Sequence, residues 1–287
     1  MLNRVIQKFG LQVISMNEVE DSFSSTVYKC TLSNRENVFL KIPFSKLKYE
    51  REVEAYEILK GYVSIPEMLD YWSGDEECAG AFLLSELKGK PLTSKSTPTV
   101  AYQVGVLHAQ MHSIPPPANK VLTGIKNEFP NWSKFVEHQF YSFAEDVKDI
   151  LDERLFNKSI EKFEKMKLQL PSPDGPSFVH MDFRPANIIV DHDIVSGIID
   201  FESVRFGSTE VDFTKLYRDL LSVDASLYHA YQEGYNSIRP IIDLDTVLPF
   251  YRFTDAFNSI GWCKRRGIEE NAIFLEQNVA RVKKWVL

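Results

Sequence analysis

The hydrophobic pattern of this 287-residue chain changes its period once, and that change restricts the folds open to it. Up to about residue 87, apolar residues occur in short runs typical of β-strands, with one helical stretch between them. From Thr99 onward, most segments repeat apolar residues every three to four positions, as amphipathic helices do. The sequence therefore predicts an α+β, bilobal fold, with a small β-rich N-terminal lobe and a larger, mainly helical C-terminal lobe.

Turn and breaker residues divide both parts into elements. The first part is predicted to hold a short helix, five strands and one inserted helix, at Leu2–Leu11, Val13–Val19, Thr26–Leu32, Val38–Ile42, Lys48–Leu59, Met68–Trp72 and Ala81–Leu87. Helices of the second part are predicted at Ala101–His112, Trp132–Phe143, Asp146–Gln169, Val211–Leu220, Leu227–Gly234, Leu244–Trp262 and Glu269–Val286. Three short β-rich pieces are predicted between these helices, at Phe178–Met181, Asn187–Val190 and Gly197–Phe201. We expect the two parts to be residues 1–90 and 91–287.

The composition limits the class of protein and of partner. Hydrophobic residues make up 44% and charged residues 25%, as in ordinary globular proteins and unlike disordered or fibrous ones. Lysine and arginine number 33 against 40 aspartate and glutamate residues, which gives a net charge of −7. A nucleic-acid-binding or anionic-membrane surface needs the opposite sign, so neither partner is expected. A cationic small-molecule substrate stays open.

Cysteine usage and the N-terminal segment predict a soluble, cytoplasmic protein. The three cysteines are far apart and form no C-x-x-C motif, so neither a disulfide framework nor a zinc knuckle fits: Cys30, Cys78 and Cys263. Polar residues interrupt Met1–Asn17, unlike the core of a signal peptide. The chain has no uninterrupted apolar run of about 18 residues, the length that a membrane span requires. The oligomeric state is left open.

Two acidic elements of the second part point to phosphoryl transfer. His180-Met181-Asp182-Phe183-Arg184-Pro185-Ala186-Asn187 precedes an apolar strand, and Asp200 ends another apolar run thirteen residues after Asn187. Phosphoryl transfer needs a carboxylate that orients the acceptor hydroxyl, and oxygen ligands for the Mg²⁺ that bridges the phosphates. One Asp, an Asn five residues later and a second Asp supply these three groups.

This pattern resembles the protein-kinase-like superfamily, and more closely its aminoglycoside phosphotransferase and choline kinase-like branch. The family's H-x-D-x-x-x-x-N loop is matched by His180, Asp182 and Asn187, and its Asp–Phe–Gly element by Asp200-Phe201, with Glu202 in place of glycine. The resemblance implies Asp182 as catalytic base and Asn187 and Asp200 as Mg²⁺ ligands. It also implies that Arg184 touches the transferred phosphate.

The resemblance assigns nucleotide binding to the N-terminal lobe. Lys41 matches the strand lysine that holds the α- and β-phosphates of ATP or GTP, and Glu52 matches the helix glutamate that pairs with it. Glu52, Tyr56 and Leu59 share one helix face, which supports this assignment. Glu54 is the second choice for the lysine's partner, although we expect it to be solvated.

Phosphate and base contacts are expected at two further segments of this lobe. The turn that would cover the phosphates lacks the family's glycines, so hydroxyl and backbone N–H groups of Ser22, Ser24 and Ser25 are the candidates. An ordinary turn that joins two strands would look the same. Ser85-Glu86-Leu87 resembles the inter-lobe hinge, which implies contacts of Ser85 and Leu87 with the base.

Other signals favour structural roles. His108 and His112 stand four residues apart on a predicted helix, a spacing that two zinc ligands could share. No third ligand is near them in the sequence, so we expect packing. Gly207 and Asp212 match a G-x-x-x-x-D element of the family, and the resemblance implies that Asp212 hydrogen-bonds to the catalytic-loop backbone.

Acceptor binding is expected in the C-terminal lobe. The candidates recur at roughly helical spacing in one predicted helix, a pattern that is more often core: Tyr251, Asp255, Asn258 and Trp262. Trp132 and Glu137 are comparable candidates in an earlier helix. Acidic and aromatic side chains of this kind could hold a cationic amine or a sugar.

Together these features predict a small-molecule kinase that transfers the γ-phosphate of ATP or GTP to a hydroxyl group. Within the resemblance, an aminoglycoside-like antibiotic is the first acceptor expected, and choline, homoserine and methylthioribose stay open. A catalytically silent kinase-like scaffold is the alternative from another class. A kinase acting on proteins is disfavoured by Glu202 and by the missing glycine loop.

Overall fold

In a computed structural model that describes residues 1–19 and 25–287, the first part of the chain forms a five-stranded antiparallel sheet. Its strands are β1 (Val13–Glu18), β2 (Ser25–Leu32), β3 (Asn37–Pro43), β4 (Met68–Trp72) and β5 (Ala81–Ser85). They are ordered β1–β2–β3–β5–β4, which puts β3 at the centre. Two helices belong to this part, α1 (Leu2–Lys8) and α2 (Lys46–Leu59). The predicted elements are therefore present, with small shifts at their ends.

Helix α2 lies against the central strands of this sheet. It begins at Ser45, whose side chain accepts a hydrogen bond from the Lys48 amide and so caps the helix. The ring of Tyr49 stacks on Phe82 of β5, with 4.9 Å between ring centroids. Because Glu52 and Tyr56 follow at intervals of three and four residues, they lie on the same buried side of the helix. This packing brings the carboxylate of Glu52 to the sheet.

The second part of the chain is mainly helical. Its helices are α3 (Pro98–His112), α4 (Trp132–Val147), α5 (Glu153–Lys167), α6 (Glu210–Leu216), α7 (Ala225–Asn236), α8 (Leu244–Arg266) and α9 (Ala272–Val286). Five short strands form two small sheets among them, β6 (Lys90–Pro91), β7 (Ser177–Val179), β8 (Ile188–Asp191), β9 (Ile194–Ile198) and β10 (Arg205–Gly207). None of the described helices combines the length and the hydropathy that crossing a membrane requires. The α+β fold class is confirmed.

Two predicted helices of the second part were wrong in detail, and two of its short strands, β6 and β10, were missed. The helix predicted over Asp146–Gln169 begins only at Glu153, because the Asp152 side chain accepts a hydrogen bond from the Leu155 amide and caps a new helix there. The helix predicted over Val211–Leu220 changes at Tyr217–Leu221 into a π-helical turn. Strand β10 was not predicted, because three residues ending in glycine carry too short a pattern.

Helices α3 and α7 pack unusually closely, and two glycines permit it. A Cβ atom on Gly105 of α3 would lie 2.2 Å from the carbonyl oxygen of Tyr231, and one on Gly234 of α7 would lie 2.0 Å from that of Tyr102. Neither position tolerates a side chain without a shift of backbone. This close contact aligns the inner faces of the two helices behind the segment that follows β7.

Candidate active site

Asp212, at the start of α6, fixes the beginning of the predicted catalytic loop. Its carboxylate accepts hydrogen bonds from two consecutive amides, those of His180 at 2.5 Å and Met181 at 2.7 Å. Burial tends to raise the pKa of Asp212, but the interactions with the neighbouring His108 and His112 outweigh it and hold the pKa well below its usual range. The Asp212 carboxylate is therefore ionised and holds the loop backbone.

His108 and His112 of α3 support the same carboxylate. His112 Nε2 lies 3.3 Å and His108 Nε2 lies 3.8 Å from Asp212 Oδ2, and all three side chains are buried. Their Nδ1 atoms pair with the hydroxyl groups of Tyr231 and Tyr235 of α7, at 2.6 and 2.9 Å. The third potential zinc ligand that the sequence lacked is thus Asp212. Apart from His108 Nε2, the ligand atoms of these three side chains already form hydrogen bonds. We therefore interpret the cluster as structural: it holds Asp212 in place.

A β-hairpin brings the two predicted metal ligands together. Strands β8 and β9 pair from Ile188 opposite Ile198, and the Ile199 amide donates to the Asn187 carbonyl oxygen at 3.0 Å. Asn187 and Asp200 consequently lie at the same open end of the hairpin, although thirteen residues separate them. Asp200 has a φ of 72°, a left-handed conformation that turns the chain out of the strand.

The carboxylate of Asp182 is surrounded by three donors. Asn187 Nδ2 donates to its Oδ2 at 3.1 Å, and Lys215 Nζ donates to its Oδ1 at 2.6 Å. Arg184 Nε lies 3.1 Å from Oδ2. The two groups form an ion pair, but Nε does not donate a hydrogen bond to the carboxylate. Lys215 was missed in the sequence. The available signal was its place three residues after Asp212 on the same helix, which puts it on the helix face that meets the loop.

Lys41 connects the sheet, helix α2 and the hairpin. Its Nζ atom lies 2.6 Å from Glu52 Oε1 and 2.7 Å from Asp200 Oδ1, and the Phe201 amide donates to the same Glu52 oxygen at 3.2 Å. Burial tends to lower the pKa of Lys41, but the charges of Asp200 and Glu52 outweigh it and raise that pKa above its usual value. Burial raises the pKa of Glu52 to about 7.

Glu54 differs from its expected role, and Glu202 has a contact that the sequence did not indicate. Glu54 was expected to be solvated, but it is buried and accepts hydrogen bonds from the amides of Thr123, Gly124 and Ile125. The reason is that a loop of the second part passes over this end of α2, which sequence spacing does not reveal. Glu202, which replaces the family's glycine, is also buried, and Lys48 of α2 lies 3.2 Å from it.

The predicted phosphate and base contacts are only partly described. Ser22 and Ser24 lie outside the described residues, and Ser25 is buried at the start of β2. The Ser85 hydroxyl accepts a hydrogen bond from the Glu67 amide at 2.8 Å. Leu87 lies against Gly197 of β9, beside the hairpin that carries Asn187 and Asp200.

The acceptor candidates of α8 do not contact the catalytic loop as a group. Tyr251 is buried, and its hydroxyl accepts a hydrogen bond from Trp132 Nε1 at 2.9 Å. Asp255 accepts from Arg218 Nη1 at 2.6 Å. Asn258 is half-buried, and Trp262 packs edge-to-face on Phe274. Asp255 is the candidate linked to the site, although indirectly. It pairs with Arg218, which follows Lys215 by three residues, and Lys215 contacts Asp182.

The remaining candidates lie at or near a small cavity between α4, α6 and α8. Trp132 and Tyr251 line a cavity of about 80 Å³ together with Glu210. Burial raises the pKa of Glu210 to about 7. A Cβ atom on Gly207 would lie 2.4 Å from the Trp132 ring, so this glycine is required by packing. Glu137 pairs with Lys167 at 2.9 Å, on the rim.

Several solved structures with the same fold are named as phosphotransferases. The GDP and kanamycin complex of APH(2″)-IIIa matches with a TM-score of 0.79 and 13% identity, over 99% of this chain and 97% of that one. Macrolide 2′-phosphotransferase MphH from Brachybacterium faecium matches with a TM-score of 0.71 and 13% identity, over 98% and 96%. Spectinomycin phosphotransferase APH(9)-Ia, in complex with ADP and spectinomycin, matches with a TM-score of 0.68 and 13% identity, over 98% of this chain and 96% of that one. The bilobal kinase-like fold is confirmed.

Sequence comparison identifies the family itself. No curated protein sequence matched this chain significantly. The model of the phosphotransferase enzyme family matches residues 15–253, a range that includes β3, α2, the catalytic loop and the hairpin. A match over most of the chain, together with the kinase-like fold, shows that the chain belongs to the phosphotransferase enzyme family.

Proposed function

We propose that this phosphotransferase moves the γ-phosphate of ATP or GTP to a hydroxyl group of a small molecule, with Asp182 as the base. The observation that carries the proposal is the continuous set of contacts from Glu52 through Lys41 to Asp200, beside the Asn187–Asp182 pair. It joins a cation suited to phosphate, oxygen ligands suited to a metal and a carboxylate suited to an alcohol.

The donors at the hairpin's open end fit Mg²⁺. Asn187 Oδ1 and Asp200 Oδ2 accept no hydrogen bond from any residue that the structure describes, and both are hard oxygen ligands. We assign them to the metal, which supplies positive charge against the β- and γ-phosphates when bound. Lys41 would shift its ammonium group from Asp200 towards the α- and β-phosphates.

The proposed reaction is a single in-line displacement. The acceptor oxygen forms a bond to the γ-phosphorus, and the bond from that phosphorus to the bridging oxygen of the β-phosphate breaks. The electron pair of the broken bond stays on the β-phosphate, which leaves as part of ADP or GDP. The hydroxyl proton passes to Asp182, and Arg184 contacts the transferred group.

The nucleotide half is assigned to residues 1–90 and the acceptor half to residues 91–287. Leu87 supports the hinge assignment, because it lies beside the β9 strand of the metal-binding hairpin. Ser25 and Ser85 stay candidates for nucleotide contacts. Three solved structures of the same fold are named for aminoglycoside, macrolide and spectinomycin phosphotransferases, so an antibiotic or a related hydroxylated metabolite is the acceptor class proposed here.

A transfer screen tests this function. Mg·ATP and Mg·GTP are incubated with the protein and with hydroxylated antibiotics, choline, sugars and amino-acid alcohols, and phosphorylated products are detected by mass spectrometry. We expect at least one acceptor to gain a phosphoryl group, and we expect Asp182→Asn to abolish that product. If neither nucleotide binds or turns over, the chain is a catalytically silent scaffold and the proposal is wrong.

A further inference from the structure

The acceptor end of the site carries an excess of positive charge. Asp182, the proposed base, is contacted by Lys215 at 2.6 Å and by Arg184 at 3.1 Å. Lys215 belongs to α6, which leads away from the loop towards α8 and α9. Two cations therefore meet one carboxylate at the point where an acceptor hydroxyl would be oriented.

The helix continues this pattern one turn further on. Its last part, Tyr217–Leu221, is a π-helical turn, a rare geometry that occurs frequently at functional sites. Arg218 on this turn pairs with both oxygens of Asp219, at 2.6 and 2.7 Å, and with Asp255 of α8 at 2.6 Å. One guanidinium group thus occupies both carboxylates that could otherwise attract a cationic acceptor.

Two more arginines stand beside this group without a carboxylate of their own. Arg252 of α8 lies over the Tyr217 ring, 5.0 Å from its centroid, and Arg281 of α9 donates to Asn278 at 3.0 Å. Neither forms an ion pair within the described part of the chain. Burial, together with the like charges of Arg218 and Arg252, lowers the pKa of Arg281. The charges of Asp255 and Asp219 offset only part of this repulsion between the guanidinium groups.

The two ends of the site consequently differ in the sign of their charge. The acceptor end holds five cations against three carboxylates, namely Arg184, Lys215, Arg218, Arg252 and Arg281 against Asp182, Asp219 and Asp255. The nucleotide end holds three cations against four carboxylates, namely Lys41, Lys48 and Arg51 against Glu52, Glu54, Asp200 and Glu202. A bound metal ion would balance the excess negative charge of the nucleotide end. A bound anion would balance the excess positive charge of the acceptor end.

We propose that the acceptor carries an anionic group, a carboxylate or a phosphate ester, which Arg252 and Arg281 bind while Lys215 lies beside the hydroxyl that Asp182 orients. This inference rests on the proposed phosphotransferase function and names the class of its substrate. Guanidinium groups bind carboxylate and phosphate oxygens through two parallel hydrogen bonds, which makes arginine well suited to this task. A polycationic aminoglycoside would instead meet five positive charges.

Binding of matched small probes tests the charge of the acceptor. The protein is saturated with Mg²⁺ and a non-hydrolysable ATP analogue, and calorimetry then measures binding of glycerate, glycerol 3-phosphate, glycerol, 3-aminopropane-1,2-diol and kanamycin. The first two carry the anionic group in its carboxylate and phosphate forms, and the others are neutral or cationic. We expect one or both anionic probes to bind at least about tenfold more tightly than glycerol, as one charge-assisted pair provides.

Variants of the two arginines test where the anion binds. Arg252→Gln and Arg281→Gln are each expected to weaken the anionic probe by about 10-fold to 100-fold and to leave glycerol binding unchanged. Arg281→Lys should restore part of the affinity if Arg281→Gln unfolds the C-terminal helix. Arg154→Gln, on the exposed face of α5, is the matched control and should bind the probes as the unaltered protein does.

Three outcomes would overturn the inference. The first is equal or tighter binding of kanamycin or the aminodiol, and the second is anion binding that neither arginine variant weakens. The third is competition between the anionic probe and the nucleotide, which would place the anion in the phosphate site. In all three outcomes the protein still binds nucleotide when no probe is present, so they are distinguishable from failure of the proposed function, in which Mg·ATP and Mg·GTP do not bind.

Discussion

Single side chains connect the two ends of this site, and Lys41 connects the most. It contacts Glu52 of α2 and Asp200 of the hairpin, so one ammonium group ties three elements together. Its exposed fraction is only 6%, and both partners are carboxylates. Under the proposed function a nucleotide supplies a further anion here, and Lys41 would exchange Asp200 for phosphate without losing Glu52.

Removal of the Lys41 charge should mainly affect nucleotide binding. We expect Lys41→Met to weaken Mg·nucleotide affinity by about 10-fold to 100-fold, because charge-assisted hydrogen bonds to phosphate are lost. Calorimetric titration measures this directly. The exposed lysine at the end of α2 provides a control, and Lys60→Met should bind as the unaltered protein does. Unchanged affinity in Lys41→Met would show that this lysine does not hold the phosphates.

His108 makes stability depend on pH. Burial, aided by the charge of His112, lowers the pKa of His108 to about 3. The folded protein keeps His108 neutral, whereas the unfolded chain takes up a proton below about pH 6.5. Its contribution to stability is therefore complete above pH 6.5 and is lost as the pH falls towards 3, by at most about 1.4 kcal/mol per pH unit.

Urea unfolding of His108→Gln between pH 7 and pH 4.5 tests this dependence. The free energy of unfolding should fall less steeply with decreasing pH than in the unaltered protein. His112, whose pKa is also lowered by burial, should leave part of the slope. His138→Gln, at an exposed position of α4, should keep the original slope. An identical slope in His108→Gln would contradict a buried, neutral His108.

At the scale of elements, the crossing of α3 and α7 supports the catalytic loop from behind. The crossing brings two histidines of α3 and two tyrosines of α7 to Asp212, which holds the loop amides. The glycines at the contact make this approach possible. The geometry of the loop therefore depends on helix packing far from the reacting atoms.

A methyl group at this crossing should loosen it. We expect Gly234→Ala to lower the free energy of unfolding by about 1–3 kcal/mol, because its Cβ would overlap the Tyr102 carbonyl oxygen. The helix propensity of alanine offsets less than about 1 kcal/mol of this cost. Glu233→Ala, exposed on the same helix, should change it by less than about 0.5 kcal/mol. Equal stability of Gly234→Ala and the unaltered protein would mean that the crossing is not tight.

Elements with strong local signals were predictable, and those fixed by distant contacts were not. The strands of the first sheet and helix α2 have clear periods and turn residues, and they occur where predicted. The break before α5 depends on the cap formed by Asp152, while the apolar period continues across it. The π-helical turn at Tyr217–Leu221 has no signal in the hydrophobic pattern.

The same distinction holds for the site. Asp182, Asn187 and Asp200 are identifiable because a loop and a hairpin fix their spacing within one stretch of sequence. Lys215 reaches Asp182 from a helix 33 residues away, and Arg252 and Arg281 come from α8 and α9. Sequence spacing does not show which of many charged residues such helices bring together. The charge of the acceptor end therefore required the structure.

At the scale of the whole molecule, net charge and local charge have opposite signs. The chain carries −7 overall, yet the acceptor end has more cations than carboxylates. A net charge consequently says little about the substrate of this enzyme. The fold positions the site between the sheet and the helices, so that Lys41, Asp182 and Asp200 come from both parts of the chain.

The most direct test of this account separates nucleotide binding from turnover. Mg·ATP affinity and the rate of phosphoryl transfer to the acceptor found by screening are measured for Asp182→Asn and Asp200→Asn. We expect Asp182→Asn to bind nucleotide within about threefold of the unaltered protein and to lose about 100-fold to 10,000-fold in kcat, as expected for loss of a general base. Asp200→Asn should lose both Mg·ATP affinity and phosphoryl transfer. Full turnover by Asp182→Asn, or equal loss of binding in both variants, would contradict the account.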